Sequence, residues 1–127
     1  MLRTADVIPF LRARYQEEAR LAHRAAWCQD AATWHAEPSP YGTGDGTARW
    51  YIADCLDDGV VSHVDPSGSD DEHVARHIAL WDPARVQADS AARERVLDAW
   101  EDTEYDVPDY VIEALAEPYK DHPDYPK

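Results

Sequence analysis

The pair Asp58-Gly59 separates two runs rich in strand-forming residues. These are Ala48-Arg49-Trp50-Tyr51-Ile52-Ala53-Asp54-Cys55 and Val60-Val61-Ser62-His63-Val64. An Asp-Gly pair accepts the positive φ that a tight hairpin turn needs, so the runs are expected as adjacent antiparallel strands. Trp34 begins a third, shorter candidate strand. Pro38, Pro40, Gly42, Gly44 and Gly46 make the connection from it a loop, and Asp65-Pro66-Ser67-Gly68 closes the hairpin as a turn.

The rest of the chain has helical spacing. Residues 6–27 are expected as the first helix, with Asp6 as its cap and Pro9 in the first turn. Phe10, Leu11, Tyr15, Ala19 and Ala22 form its apolar stripe, and Arg14 and Glu18 fall on its wet side. Ser69-Asp70-Asp71-Glu72 is a capping-box pattern ahead of a second helix that presents Val74, Ile78 and Trp81, with His77 alongside. Asp82-Pro83 reads as a break with immediate restart, and the third helix runs to about Trp100 on Val86, Val96, Leu97 and Trp100. A last helix starts near Pro108, is lined by Tyr110, Val111, Ala114 and Leu115, and ends at Pro118. The expected fold is α+β: a small antiparallel β-meander of two or three strands packed by an N-terminal helix and three C-terminal helices. Length favours a single globular domain, 1–127.

The formal net charge is −14, and residues 51–127 carry all of it, because the six Arg and six Asp/Glu of residues 1–50 cancel. Such a surface repels phosphate backbones, so direct nucleic-acid binding is not expected. It suits a basic protein partner, divalent cations or plain solubility. Cys28 and Cys55 can form at most one disulfide, and reduced thiols are the simpler expectation. No window has the apolar length of a membrane span, and Met1 to Arg20 has no signal-peptide h-region, so a cytoplasmic protein is expected, as a monomer or homodimer. Trp50, Trp81 and Trp100 are the residues that could leave an apolar patch for self-association.

Three constellations could carry chemistry. His73 and His77 stand one helical turn apart, a spacing that suits zinc if His63, Asp71, Cys55 or His122 supplies a further ligand; the bland reading is one packed and one solvated histidine. His77, Asp82, Arg85, Tyr119, Asp121, His122, Asp124 and Tyr125 could converge as a polar cluster. There Arg85 would lock the 118–127 segment onto the body, with Tyr119 and Tyr125 as docking rings; a histidine beside two carboxylates could instead act as a general base. Asp98, Glu101, Asp102, Glu104, Asp106 and Asp109 place several carboxylates on one helical face, which could imitate a line of phosphates or simply be solvated. There is no nucleophile elbow, phosphate-cradling glycine loop, Cys-x-x-Cys or dinucleotide fingerprint, and no cofactor is expected.

At His77-Ile78-Ala79, continued by Asp82-Pro83-Ala84-Arg85-Val86, and at Leu115-Ala116, continued by Pro118-Tyr119 and Asp121-His122-Pro123-Asp124-Tyr125, the chain resembles an uncharacterised family of small acidic proteins from actinobacteria and their phages. Phe10-Leu11-Arg12-Ala13-Arg14 matches the short helix with which members begin. Trp81 stands where members usually carry a second histidine, and the connection from Trp100 to Pro108 is shorter than in many. The resemblance implies no activity. It implies a phage or prophage accessory protein acting on a host factor. Together with the acidity and the missing catalytic motifs, it makes a non-enzymatic binder or inhibitor of a host or phage protein the leading expectation, with DNA mimicry as its sharper form. The alternative is a small metal-binding protein or enzyme using the His/Asp/Arg cluster.

Overall fold

The computed structural model describes residues 2–38, 50–64 and 71–127, and of residues 62–64 the backbone. The expected loop after Pro38, the strand start at Ala48-Arg49, the Asp65–Gly68 turn, Ser69 and Asp70 of the capping box, and the His63 side chain lie outside the described residues. The elements run α1 (Thr4–Ala25), β1 (Trp34–Pro38), β2 (Trp50–Asp54), β3 (Gly59–Val64), α2 (Asp71–Leu80), α3 (Pro83–Glu101) and α4 (Asp109–Ala116), with 3-10 turns at Asp30–Ala32 and Glu117–Tyr119. The fold is α+β, and its sheet is an antiparallel meander in the order β1-β2-β3. Two compact units can be distinguished: Met1–Arg20 with Ala88–Lys127, and Leu21–Gln87.

The first unit has a helical core of Val7, Ile8, Phe10, Leu11, Tyr15, Leu97, Ile112 and Ala116. Its members recur at three and four residues along α1, so one stripe is buried, and each fully buried aliphatic side chain contributes roughly 1.5–3 kcal/mol. The helix begins at Thr4, earlier than Asp6. Asp6 lies inside the first turn, where its carboxylate takes Arg3 Nε at 3.0 Å and suits the positive helix end. Pro9 therefore falls in the second turn; its missing N–H leaves the Ala5 carbonyl without a helical donor. After α4 the chain continues as successive short turns: Lys120 N to Glu117 O (3.2 Å), His122 N to Tyr119 O (2.9 Å) and Tyr125 N to His122 O (3.0 Å). These turns bring Tyr119 and Tyr125 against the core.

In the second unit, α2 lies on the sheet over a core of Ile52, Ala75 and Ala79, flanked by Trp34, Ala36, Trp50, Val60, Val61, Val74 and Ile78. The expected apolar face of Val74, Ile78 and Trp81 is thus rotated. Alanines 75 and 79, one turn apart, are the deepest residues, because a bare Cβ lets the helix backbone approach the strands. Trp81 follows the helix and stays 43% exposed. The hairpin turn also differs from expectation. Asp54 Oδ1 accepts the N–H groups of Leu56 (2.8 Å) and Asp58 (3.1 Å), and Asp57 takes the positive φ of 62°. Gly59 already belongs to β3, and open space surrounds it. An aspartate that satisfies two turn amides outweighs the Asp-Gly signal.

Candidate functional site

The sequence-selected polar residues are found in both units. In the second unit His73, His77, Asp82 and Arg85 line an open groove of about 730 Å³, together with Trp34, His35, Arg76 and Leu80. Asp82 is the residue that builds it. As the cap of α3 its Oδ1 accepts the Arg85 N–H at 2.8 Å, the third helical position after the cap. Its Oδ2 accepts the Trp34 N–H at 3.0 Å, which ties β1 to the α2–α3 corner. Both oxygens of this buried carboxylate are therefore engaged by backbone amides. Arg85 extends its guanidinium over the Trp81 ring, 4.8 Å from the centroid, and Arg76 does the same over Trp50 at 5.2 Å. His73 and His77 are exposed along the groove wall. Among the described residues no group of three His, Cys, Asp or Glu side chains stands close enough to hold a metal.

Tyr119, His122, Asp124 and Tyr125 belong to the first unit, and within that unit they meet Arg14, which the sequence reading did not select. Phe10 is the centre of this cluster. The rings of Tyr119, His122 and Tyr125 stand edge-on to it at 6.2, 5.6 and 5.4 Å. The Arg14 guanidinium, one helical turn from Phe10, lies over the same ring at 5.3 Å. Arg14 Nη1 reaches His122 Nδ1 at 3.0 Å, touches Nε2 as well, and is 3.7 Å from Asp124 Oδ2. Nδ1 also accepts the Asp124 N–H at 3.0 Å. An imidazole whose acceptor nitrogen is already engaged by a guanidinium and an amide is poorly placed to abstract a proton. Arg14, expected on the wet side, has a side chain only 13% exposed, because the 118–127 segment covers it. Asp121 is exposed.

The acidic run is largely engaged within the first unit. Arg12 Nη2 bridges Asp98 Oδ1 and Glu101 Oε1, each at 2.7 Å, and the guanidinium holds its proton more firmly than usual, mainly through the bond to Glu101. Asp102 Oδ1 accepts the Glu104 N–H at 2.9 Å, and Asp109 Oδ1 accepts Trp100 Nε1 at 2.9 Å. Glu104 and Asp106 are exposed. Of the three tryptophans considered for self-association, Trp50 and Trp100 are half-buried.

Sequence reading missed a third arrangement. Tyr15, Glu18, Arg93, Ala114, Leu115, Pro118 and Tyr119 line a half-open pocket of about 320 Å³ in the first unit. The Tyr119 hydroxyl donates to Glu18 Oε1 at 2.6 Å, and Arg93 sits 5.8 Å from the Tyr15 ring centroid. Burial pushes the Tyr15 phenol up to about 12, against the nearby positive charge of Arg93. Burial and the bond to Glu18 push Tyr119 well above the ordinary phenol range. In the sequence Tyr15 reads only as a core residue and Glu18 only as a wet one; their meeting with Tyr119 is a long-range event with no local signal.

Over residues 4–127 the chain matches a family described as a family of unknown function, DUF6221, and it belongs to that family. No curated protein and no solved structure matches it. Among the described residues no helix is long and apolar enough to cross a membrane.

Proposed function

We propose that this chain is a non-enzymatic binding protein that acts in the cytoplasm on a basic protein partner, in the phage or prophage setting implied by the family resemblance. One observation carries the reading. The carboxylate and imidazole best suited to chemistry, Asp82 and His122, have their acceptor atoms engaged by backbone amides and by Arg14. In contrast, Leu80 and Trp81, beside the groove, are left 57% and 43% exposed. Trp and Arg are over-represented among residues that dominate binding energy, and the Arg85 guanidinium braces the Trp81 ring. The net charge of −14 attracts a basic protein over long range, while the N–H groups of Arg76 and the groove histidines suit its backbone carbonyls. The DNA-mimic form draws less support, since Arg12 pairs with both Asp98 and Glu101 and offsets part of their charge.

The test is affinity capture from host lysate with the native chain and with the double variant Leu80→Ser/Trp81→Ser, at low and high salt. A basic protein held by the native chain, lost from the variant and weakened by salt supports the reading. Identical capture by both baits overturns it.

A further inference from the structure

Helix α3 leaves one apolar stripe partly uncovered. Ala92, Val96 and Ala99 recur at four and three residues along it. With Tyr105 and Val107, from the chain just after the helix, they line an open groove of about 520 Å³ in the first unit. Val96 and Val107 pack inward against the helical core, which fixes the groove floor. Ala92 is exposed, and Tyr105 is 60% exposed. The stripe runs for about 10 Å of helix, or two turns. Side chains this small let another helix approach to an axis separation of about 8–10 Å.

The rim of the groove is acidic. Asp98 and Asp102 line it, and Glu101, Glu104 and Asp106 are exposed residues of the same stretch. Arg12 pairs with Asp98 and Glu101, whereas Asp102, Glu104 and Asp106 make no ion pair among the described residues. Arg95 is the one cation among the described lining residues. A second observation is independent of the groove's shape. Asp98 and Glu101 lie in the last turn of α3, which holds no basic residue, and Asp102 follows it. The carbonyls of a helix C-terminus carry partial negative charge, so these carboxylates repel the helix end. Asp98 and Asp102, four residues apart, also repel one another. A cation brought from outside relieves both repulsions.

We propose that this groove docks an amphipathic helix of a basic protein. The apolar face of that helix lies on Ala92, Val96, Ala99 and Val107, and its Lys or Arg side chains meet Asp102, Glu104 and Asp106. Tyr105 stands between Glu104 and Asp106 in the chain, and its ring offers a face to one of those cations. A helix without basic residues would leave the rim unpaired, and a second copy of this chain, at −14, is repelled. The surface is separate from Leu80 and Trp81, which belong to the second unit, and the inference does not rest on them.

The experiment is fluorescence anisotropy of a labelled Lys/Leu amphipathic peptide of about 18 residues, long enough to form a helix, titrated with the full chain. The control peptide has the same composition with its leucines spread around the helix. The amphipathic peptide should bind at least about tenfold more tightly than the control. Asp102→Asn/Glu104→Gln/Asp106→Asn should weaken it by about tenfold or more. Asp30→Asn/Asp57→Asn/Asp58→Asn removes the same charge from exposed positions of the second unit and should weaken it by less than about threefold. Tyr105→Ala should cost about tenfold and Tyr105→Phe less, while Leu80→Ser/Trp81→Ser binds the peptide as the native chain does. Near-ultraviolet circular dichroism confirms that each variant is folded. Equal binding of the two peptides, or an equal loss in the two triple variants, would overturn the proposal. So would peptide binding lost with Leu80→Ser/Trp81→Ser and kept in the groove variants. A native dimer in sedimentation that Tyr105→Ala dissociates would give the groove to a second copy and overturn it too. A failed lysate capture through Leu80 and Trp81 leaves these peptide results untouched, so the two readings fail separately.

Discussion

Deleting residues 118–127 should destabilise the first unit far more than trimming a solvated segment. The deletion strips Phe10 of three edge-on neighbours, Tyr119, His122 and Tyr125, at 6.2, 5.6 and 5.4 Å. Each such pair contributes about 0.5–1.5 kcal/mol beyond burial. Half-burial of the two tyrosine rings against the core adds roughly 1 kcal/mol apiece. Contacts sharing one ring are not additive, so the lower ends apply, and the loss comes to about 3 kcal/mol. Against the roughly 5–15 kcal/mol that holds a domain together this is a large fraction. Urea unfolding followed by near-ultraviolet circular dichroism reads it directly, as a lower midpoint. Phe10→Leu, made in both the intact and the shortened chain, isolates the ring cluster: the substitution should cost about 1 kcal/mol more when the segment is present. Equal midpoints for the two chains, or an equal cost of Phe10→Leu in both, would refute the reasoning.

Asp82→Ala removes the α3 cap and leaves the Trp34 N–H without its acceptor. A loss of about 2–4 kcal/mol is expected by chemical denaturation, with a smaller loss for Asp82→Asn, which keeps one acceptor oxygen. Ser90→Ala should stabilise the chain by about 0.5–1 kcal/mol, read as a higher melting temperature, because the buried Ser90 Oγ has no partner and alanine is the better helix former. Tyr15 makes the fold alkali-sensitive. Its phenol titrates near 12 in the fold and about 10 when unfolded, so above pH 10 the unfolded chain binds fewer protons and stability falls as pH rises. Its contribution is complete below about pH 10, declines by about 1.4 kcal/mol per pH unit, and is gone above about pH 12. Tyr119 acts in the same direction, and Tyr15→Phe should flatten the decline in urea midpoints measured from pH 8 to 11.5.

The fold class was legible because its signals are local. Strand-forming runs flank the hairpin, the helices show their spacing, and Asp82-Pro83 carries cap and first position in adjacent residues. Local signals failed where a side chain answered to something distant. The turn moved forward because the Asp54 carboxylate reaches two amides, which the Asp-Gly pair does not announce. Arg14 reads as wet on a helical wheel, and only the returning segment buries it. The α2 face turned toward Ala75 and Ala79 because close approach to a sheet favours small side chains over the larger ones that dominate a hydropathy pattern. Of the candidate residues, His77, Asp82 and Arg85 do share one groove, and Tyr119, His122, Asp124 and Tyr125 share one ring cluster. The contact between Arg14 and His122 spans 108 residues of sequence, beyond the reach of any local signal.

The central claim is a division of labour, in which the polar cluster holds the fold and Leu80 with Trp81 meets the partner. The measurement that bears on it most directly is melting temperature and partner capture taken side by side for Leu80→Ser/Trp81→Ser and for Phe10→Leu. The account predicts that the first variant keeps its melting temperature and loses the partner, while the second melts earlier and, held below its transition, captures the partner as the native chain does. The reverse pattern, with capture lost on altering Phe10 and unaffected at Leu80 and Trp81, would contradict it.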